Sequence, residues 1–307
     1  MAKLIKKPLL TPLRVILSSI LILIILVWGT WLLIDGRDMD ILDPKGLIAS
    51  QQQWLIIGTA LLSLVVILPV YTMLGMFAWK YRATNAKAKY TPNADNNHLL
   101  EAIWWGIPII IIAALSVVTY VTSHQLDPQK RLYDDSGRSV NVQVVALQWK
   151  WLFIYPDYGI AAVNDLRMPV GIPVNFEISA EAPMSAFWIP RLGSQVYAMN
   201  GMSSSLSLQA DEAGEYIGRN SNINGEGYSL MDFKVSAVPE AQFDTWTKAT
   251  KKSMSAEGRY LDFATYKKEL VKPSKDNPAV YYQLKDDKLY KKIMQQFMPE
   301  HQYGGGH

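Results

Sequence analysis

The chain has 307 residues, of which 50% are hydrophobic and 19% charged, and its formal net charge is +3. So mild a positive charge does not indicate a nucleic-acid partner. Cysteine is absent, which excludes disulfides, thiolate metal sites and lipid-modified cysteines. With only four histidines, the chain also offers few imidazole ligands for a metal.

Three long apolar runs come first along the chain, at residues 15–34, 54–79 and 102–122. Each is long enough to cross a hydrocarbon core of roughly 30 Å as a helix. Three such runs rarely occur in one soluble protein, so we predict an anchor helix followed by a transmembrane hairpin. A cleaved signal peptide is the alternative for the first run, although its apolar stretch is long and WLLIDGRDMD is a poor cleavage site.

Basic residues indicate how these runs are oriented. They are Lys3, Lys6, Lys7 and Arg14 before the first run, and Lys80, Arg82, Lys87 and Lys89 between the second and third. The positive-inside rule places both segments in the cytoplasm, so the N-terminus is predicted inside and the chain after about His124 outside. Trp54, Trp79, Trp104 and Trp105 lie near the predicted span ends, where aromatic belts form.

From about Ser139 the pattern changes to short β-like segments separated by turn residues. The predicted strands lie in VNVQVVAL, WKWLFIY, VNFEISA, SAFWIP, QVYAM, SLSLQA and YSLMDFKVSAV. Clusters of Pro, Gly, Asn and Asp punctuate them, as in PDYG, PVGIP and DEAGE. This many short strands predicts a β-sandwich or a Greek-key barrel.

The last part of the chain has helical patterns. One segment places Phe243 and Trp246 on the same face, and a later one places Leu289, Ile293 and Phe297 on the same face. The Lys- and Pro-rich linker between them is predicted to be a surface strap. The terminal QYGGGH is predicted to be disordered.

The stretch GRNSNINGEGYSLM, residues 218–231, has the spacing of a metal-binding loop. Its polar positions are Asn220, Asn224 and Tyr228, followed by Met231. Cys, Cys, His and Met at these positions would be a strong metal signal, but here all except Met are poor ligands for a transition metal. The simpler interpretation is that Asn, Gly and Ser mark a turn.

Several longer strings, in order along the chain, resemble one family. They are ILDPKG (41–46), FAWKYRATNAKAKY (77–90), EAIWWGIPIIII (101–112), QWKWLFIYPDYGIAAVN (148–164), FWIPRLGSQVYAMNGM (187–202) and GYSLMDFKVSA (227–237). With the predicted hairpin and β domain, they resemble subunit II of haem-copper respiratory oxidases, and most closely the quinol-oxidising cytochrome bo type. The resemblance implies a cupredoxin-like Greek-key β-barrel.

In the cytochrome c-oxidising relatives this barrel holds a binuclear copper centre. The resemblance places Ser185 at the first His position, Asn220 and Asn224 at the two Cys positions, Asn222 at the carbonyl donor, Tyr228 at the second His and Met231 at the Met. No Cys or His occurs from Ser139 to Val238, and one thioether cannot hold copper. We therefore expect a cupredoxin frame with no metal, no cofactor and no catalytic residue in this chain.

The resemblance also implies what the chain belongs to and where. The complex is expected to oxidise ubiquinol, reduce oxygen to water and translocate protons, with haems and copper in subunit I. Subunit I, further small membrane subunits and membrane lipids are the expected partners, in the bacterial inner membrane. Glu101, at the start of the third run, is expected at the entry of a proton pathway. The alternative for Glu101 is a carboxylate favourably placed at a helix N-terminus.

The predicted organisation has four parts: an N-terminal anchor (1–38), a transmembrane hairpin (39–124), a periplasmic cupredoxin-like domain (125–239) and a helical C-terminal extension (240–307). The aromatic run Trp149, Trp151, Phe153 and Tyr155 is predicted to serve packing and subunit contact. Two other functions remain open at this point: a copper-bearing cytochrome c oxidase subunit, and a free-standing β-sandwich binding module tethered to the membrane.

Overall fold

The computed structural model describes residues 21, 24, 28, 29, 40–88, 97–275 and 278–298. The predicted first span lies outside these ranges except for Leu21, Ile24, Trp28 and Gly29, which are helical. The basic residues before that span, Lys89 and the terminal QYGGGH also lie outside the described residues.

Two long apolar helices contain the predicted second and third spans. Helix α1 is Leu47–Lys80 and helix α2 is His98–Gln125, so each extends beyond the predicted run at both ends. Within the described ranges these are the two helices long and apolar enough to cross a membrane, and their most apolar windows are not buried. The hydroxyl groups along them bond to carbonyls of the preceding turn: Thr59 to Leu55 at 2.7 Å, for example. Such internal bonding is what a lipid-facing helix requires.

The chain divides into two compact units. One contains Trp54–Thr122, and the other combines Asp40–Gln53 with the chain from Ser123 onward. In the second unit, residues before the first long helix join the β domain. Arg191 Nε donates to Asp40 Oδ1 at 2.9 Å, and Lys45 Nζ lies 2.8 Å from Glu212 Oε2.

The β domain has ten strands. They are β1 (Val140–Leu147), β2 (Lys150–Tyr155), β3 (Ile160–Val163), β4 (Asp165–Pro169), β5 (Val174–Ala180), β6 (Ser185–Trp188), β7 (Val196–Ala198), β8 (Ser204–Leu208), β9 (Gly214–Asn220) and β10 (Phe233–Val238). Short 3₁₀ turns lie at Pro156–Tyr158 and Tyr228–Leu230. The predicted all-β domain is confirmed. The prediction missed β3, β4 and β9.

These strands form two curled sheets. One runs β3-β2-β1-β5-β8, and the other runs β4-β10-β9-β6-β7. Most neighbours are antiparallel, but β1 pairs with β5 and β4 pairs with β10 in parallel. Isolated bridges between Val170 and Ala210, and between Ala180 and Asn200, connect the two sheets. These bridges close the domain into a barrel-like shape around the core that lies between the two sheets.

Strand β2 is buried along its whole length and supplies two cores. Successive side chains of a strand point to opposite faces, so Trp151, Phe153 and Tyr155 enter the core between the sheets, while Leu152 and Ile154 enter a second core. The prediction that the aromatic run serves packing is confirmed for these three rings.

The C-terminal extension is mixed rather than purely helical. After helix α3 (Glu240–Ala256) come strand β11 (Tyr260–Leu261), helix α4 (Phe263–Thr265, continuing as a π-helix over Tyr266–Leu270), strand β12 (Val280–Leu284) and helix α5 (Leu289–Gln295). Strand β12 pairs with β3 and adds β12 and β11 to the larger sheet.

The prediction of a surface strap between the two helices is therefore wrong. Leu261, Tyr266, Leu270 and Leu284 from this segment fill the second core against β2. The Lys and Pro residues that suggested a strap alternate with these apolar side chains.

Candidate functional site

The residues of the predicted metal-site frame lie on neighbouring elements. Ser185 begins β6, and Asn220 ends β9. These two strands pair with Phe187 opposite Asn220, so Ser185 and the loop after β9 lie at the same end of the barrel. Asn222, Asn224, Tyr228 and Met231 follow in the connection from β9 to β10, which closes the frame.

Four of the predicted positions share one hydrogen-bond network. Asn224 Nδ2 lies 2.9 Å from Ser185 Oγ and 3.4 Å from Met231 Sδ. Asn220 Nδ2 also donates to Met231 Sδ at 3.4 Å. The thioether, which is fully buried, thus accepts from two amides.

Asn220 also organises the backbone around it. Its Oδ1 accepts from the backbone N–H of Ala186 at 2.8 Å and from that of Asn222 at 3.1 Å. The first bond joins the loop to β6, and the second shapes the turn after β9. An Asx-type turn of this kind suits the residue type, so the turn interpretation of the sequence is also correct.

Asn222 and Tyr228 take part differently. The Asn222 side chain turns away from the thioether and donates to the Met184 carbonyl at 2.7 Å. Tyr228 contributes through its backbone: its carbonyl accepts from the N–H of Met231 at 3.1 Å. The structure therefore brings together the side chains of Ser185, Asn220, Asn224 and Met231, but not those of Asn222 and Tyr228.

Trp149 covers the glycines of the loop. Its backbone φ is +66°, a conformation that non-glycine residues rarely adopt. A Cβ on Gly227 would lie 2.1 Å from Cδ2 of the Trp149 indole, so no larger residue fits there while the ring stays in place. On the other side, Trp151 Nε1 donates to the Met231 carbonyl at 3.2 Å. Two tryptophans of the same strand region thus hold the loop.

This donor set does not fit copper. Fast electron transfer at copper uses thiolate and imidazole ligands, whereas the frame offers two amides, a hydroxyl and one thioether. In the ranges described, no group of three His, Cys, Asp or Glu is placed to hold a metal ion. The buried Asn224 Oδ1 has no hydrogen-bond partner among the described residues. The frame is a neutral polar network.

Glu101 lies in the first turn of α2. Asn97 precedes the helix, and its Oδ1 accepts from the N–H groups of Leu99 and Leu100, at 3.2 and 3.1 Å. Glu101 Oε2 is 3.4 Å from Nδ1 of His98, and the carboxylate remains 43% exposed. Both interpretations of Glu101 are compatible with this position.

Sequence reasoning missed two charged residues near the frame. Glu181, in the loop before Ser185, has a side chain only 9% exposed. Lys150 is 5% exposed, and burial lowers the pKa of its ammonium group. The sequence did carry a signal for them, because each is a single charged residue next to the apolar residues of a strand. A charge buried there needs specific partners.

Comparisons with known proteins give matches to two family models and to a solved structure. The family model "Cytochrome C oxidase subunit II, periplasmic domain" matches residues 160–238, and "COX Aromatic Rich Motif" matches residues 256–301. The periplasmic domain of subunit II of cytochrome oxidase (CoxB) from Bradyrhizobium japonicum is 21% identical, with a TM-score of 0.36, over 37% of this chain and 94% of that one.

Full-length relatives are more similar. Cytochrome bo(3) ubiquinol oxidase subunit 2 of Pseudomonas putida is 45% identical over 251 residues, which cover 82% of this chain and 78% of the relative. Ubiquinol oxidase subunit 2 of Acetobacter aceti is 42% identical over 252 residues, covering 82% and 80%. Apolar helices joined to a β domain of this kind define a subunit II of the oxidase class. The chain belongs to the ubiquinol oxidase subunit 2 family.

Proposed function

We propose that the chain is the non-redox subunit II of a membrane ubiquinol oxidase. The observation that carries this proposal is the 45% identity, across 82% of the chain, to a protein named as subunit 2 of such an oxidase. The complex would oxidise ubiquinol, reduce oxygen to water and translocate protons. Its haems and copper would lie in subunit I, which is the main proposed partner.

The frame supports a non-redox role. The positions that resemble a binuclear copper site carry amide, hydroxyl and phenol groups besides Met231, and such groups do not provide a copper redox centre. This is the argument against a copper-bearing cytochrome c oxidase subunit. The role left for the chain is to brace subunit I and cover its outer face.

The proposed setting is the bacterial inner membrane, with lipids and further small subunits as neighbours and no nucleic acid. Lys80, at the end of α1, and Arg82 and Lys87, which follow it, favour a cytoplasmic connection between the two helices. The N-terminus would then be cytoplasmic and the β domain periplasmic. The division into residues 1–38, 39–124, 125–239 and 240–307 is part of the same proposal.

Glu101 is the proposed entry point for protons moving toward subunit I. Its exposed carboxylate at the start of an apolar helix can collect a proton from the aqueous side. Asn97 already bonds to the first N–H groups of the helix, so Glu101 is not needed as the cap. Because Asn97 caps the helix, the carboxylate of Glu101 is available for a role other than helix stabilisation.

Purification of the assembled protein tests the proposal. A tagged full-length chain, extracted from membranes in mild detergent, should bring a haem-containing subunit with it. The preparation should oxidise ubiquinol with oxygen uptake, and reduced-minus-oxidised spectra should show haem. The same procedure on untagged cells is the control. Isolation of the chain without haem or quinol oxidase activity would instead favour the free-standing binding module.

A further inference from the structure

The described part of the C-terminal extension, residues 240–275 and 278–298, contacts three loops at the end of the barrel that carries the polar network. Loop A is residues 181–184, loop B is residues 199–203 and loop C is residues 221–232. We propose that the extension is a clamp that fixes these three loops, replacing the cross-link that a metal ion would supply in a metal-binding frame.

Loop A is held through the carboxylate of Glu181. It accepts hydrogen bonds from Tyr266 Oη at 2.9 Å, Lys267 Nζ at 2.9 Å and Gln296 Nε2 at 3.4 Å. All three donors belong to the extension. A nearly buried carboxylate is costly without such partners, and charge-assisted bonds are the stronger kind. Loop A therefore depends on the extension for its conformation.

Loop B is held by the last helix and the residues after it. Ser203 Oγ lies 2.9 Å from Tyr290 Oη. Gly201 has a φ of +72°, and a Cβ there would lie 3.1 Å from the Phe297 carbonyl oxygen. The backbone of loop B thus passes directly against the backbone of the extension.

Loop C is held from the segment after the π-helix. Lys275 Nζ lies 2.9 Å from Glu226 Oε2 and 5.5 Å from the centre of the Trp149 ring, which itself covers Gly227. Lys150 Nζ donates to the Lys272 carbonyl at 3.0 Å and so fixes the start of this segment. The exposed ion pair alone contributes little, and the position of the Lys275 ammonium over the Trp149 ring adds a cation–π contact.

The loops are also joined to each other. Asn200 Nδ2 of loop B donates to the Glu181 carbonyl of loop A at 3.3 Å, and Asn222 Nδ2 of loop C donates to the Met184 carbonyl of loop A at 2.7 Å. Loop A is therefore the shared neighbour. Fixing it through Glu181 restrains the other two.

The centre of the frame, around the thioether, provides weaker restraint. Its central bonds are amide-to-thioether contacts of 3.4 Å, and sulfur is a weak acceptor. The buried Asn224 Oδ1 has no hydrogen-bond partner in the described part of the chain. The stronger, charge-assisted bonds that reach these loops come from the extension.

Removing two hydroxyl groups tests the clamp. In the full-length chain, purified with whatever subunits it carries, Tyr266→Phe with Tyr290→Phe deletes one of the three bonds to the Glu181 carboxylate and the bond to Ser203, but keeps both rings. Hydrogen exchange measured by mass spectrometry should become about tenfold faster in loops A, B and C. Strands β1, β2 and β5 should keep their exchange rates. Tyr282→Phe is the matched control, because that hydroxyl bonds to Glu269 within the extension.

Glu181→Leu is a second, independent test and should accelerate exchange in loops A, B and C. Its control is Glu177→Leu, a carboxylate on β5 whose partners are Arg131 and Gln143 rather than the extension. Unchanged exchange in the loops would overturn the clamp. Equal acceleration in loops and strands would also overturn it, since the extension would then be one more part of the core. The measurement requires no turnover, so it does not depend on the oxidase role.

Discussion

Asn220 and Met231 are joined by a hydrogen bond between an amide and a thioether, with Nδ2 3.4 Å from Sδ. The same sulfur accepts from Asn224 at 3.4 Å. In a metal-binding frame these positions would supply ligands to an ion. Here the side chains contact each other directly, so the network that closes the loop is made of the would-be ligands themselves.

Installing copper ligands should convert this network into a metal site. We expect the full-length variant Ser185→His, Asn220→Cys, Asn224→Cys, Tyr228→His, with Met231 retained, to bind copper and become coloured. Two thiolates, two imidazoles and a thioether form the soft donor set that copper prefers. Copper analysis and visible to near-infrared absorption measure the result.

The control for the copper variant carries the same two histidines but Ser in place of Asn220 and Asn224. It should stay colourless, as should the unmodified chain. A folded four-substitution variant that binds no copper would contradict the assignment of these positions. Of the four substituted residues, Tyr228 is the one whose side chain takes no part in the present network.

Replacement of Glu101 should separate the two interpretations of that residue. If it feeds protons toward subunit I, Glu101→Gln should lower ubiquinol oxidase turnover while haem content stays normal, and Glu101→Asp should be milder. A helix-terminus role alone predicts a stability loss within about 1 kcal/mol and unchanged turnover. Oxygen uptake by the purified complex distinguishes the two roles. Normal turnover in Glu101→Gln would contradict the pathway role.

Gly218 and Gly214 lie on the same strand but differ in the space around them. A Cβ on Gly218 would lie 2.0 Å from Cζ of Phe233, and that ring stacks on Phe187 at 5.3 Å. We expect Gly218→Ala to destabilise the chain by about 1–3 kcal/mol through overpacking. That corresponds to a thermal midpoint lower by roughly 2–12 °C.

Gly214→Ala is the control for that comparison, because its nearest atom would be Tyr216 Oη at an ordinary 3.5 Å. Thermal unfolding of both variants in detergent provides the measurement. Equal midpoints for the two would show that Phe233 can move, and would contradict a rigidly packed aromatic core.

Tyr281 should contribute to the loss of stability at alkaline pH. Its Oη donates to the buried Asp165 Oδ2 at 2.6 Å, and burial, followed by the nearby Asp165, raises its pKa to about 12. The folded state therefore keeps this proton longer than the unfolded state, whose phenol titrates near pH 10. The contribution of Tyr281 to the stability of the folded state is therefore fully present below about pH 10 and is lost as the pH rises toward 12.

Tyr281→Phe should lower the thermal midpoint at neutral pH, because it removes the hydrogen bond to Asp165. It should also make the decline of the thermal midpoint between about pH 10 and 12 less steep. Tyr197→Phe, which removes an exposed hydroxyl, is the control. A decline of the same steepness in Tyr281→Phe and the unmodified chain would contradict the assigned role.

The sequence predicted the apolar helices and most of the barrel, because their signals are long or strictly alternating. It missed β9, where GEYIGRN mixes two glycines with charged residues. It missed β12 because five residues of strand pattern between charged segments resemble a loop. Both segments become strands because they pair with strands that are distant in the sequence, and a local sequence pattern does not encode such pairing.

The frame itself was predicted in part. Spacing indicated Asn220, Asn224, Tyr228 and Met231 as one frame. The structure brings the side chains of all but Tyr228 together with Ser185, which the resemblance had added. The inward position of Asn224 and the outward turn of Asn222 depend on the conformation of a glycine-rich loop. The left-handed backbone of Trp149 likewise has no sequence signal, since glycine or asparagine is the usual residue there.

The pairing of β12 with β3 joins two segments that lie far apart in the chain. Val280 lies opposite Val163, so this edge of β3 stays unpaired until the chain through Val280 has been made. Contacts this distant in the chain form slowly, and until they do the edge of β3 offers unpaired backbone groups. The newly made chain would therefore be most vulnerable to aggregation and proteolysis until β12 has emerged and paired with β3.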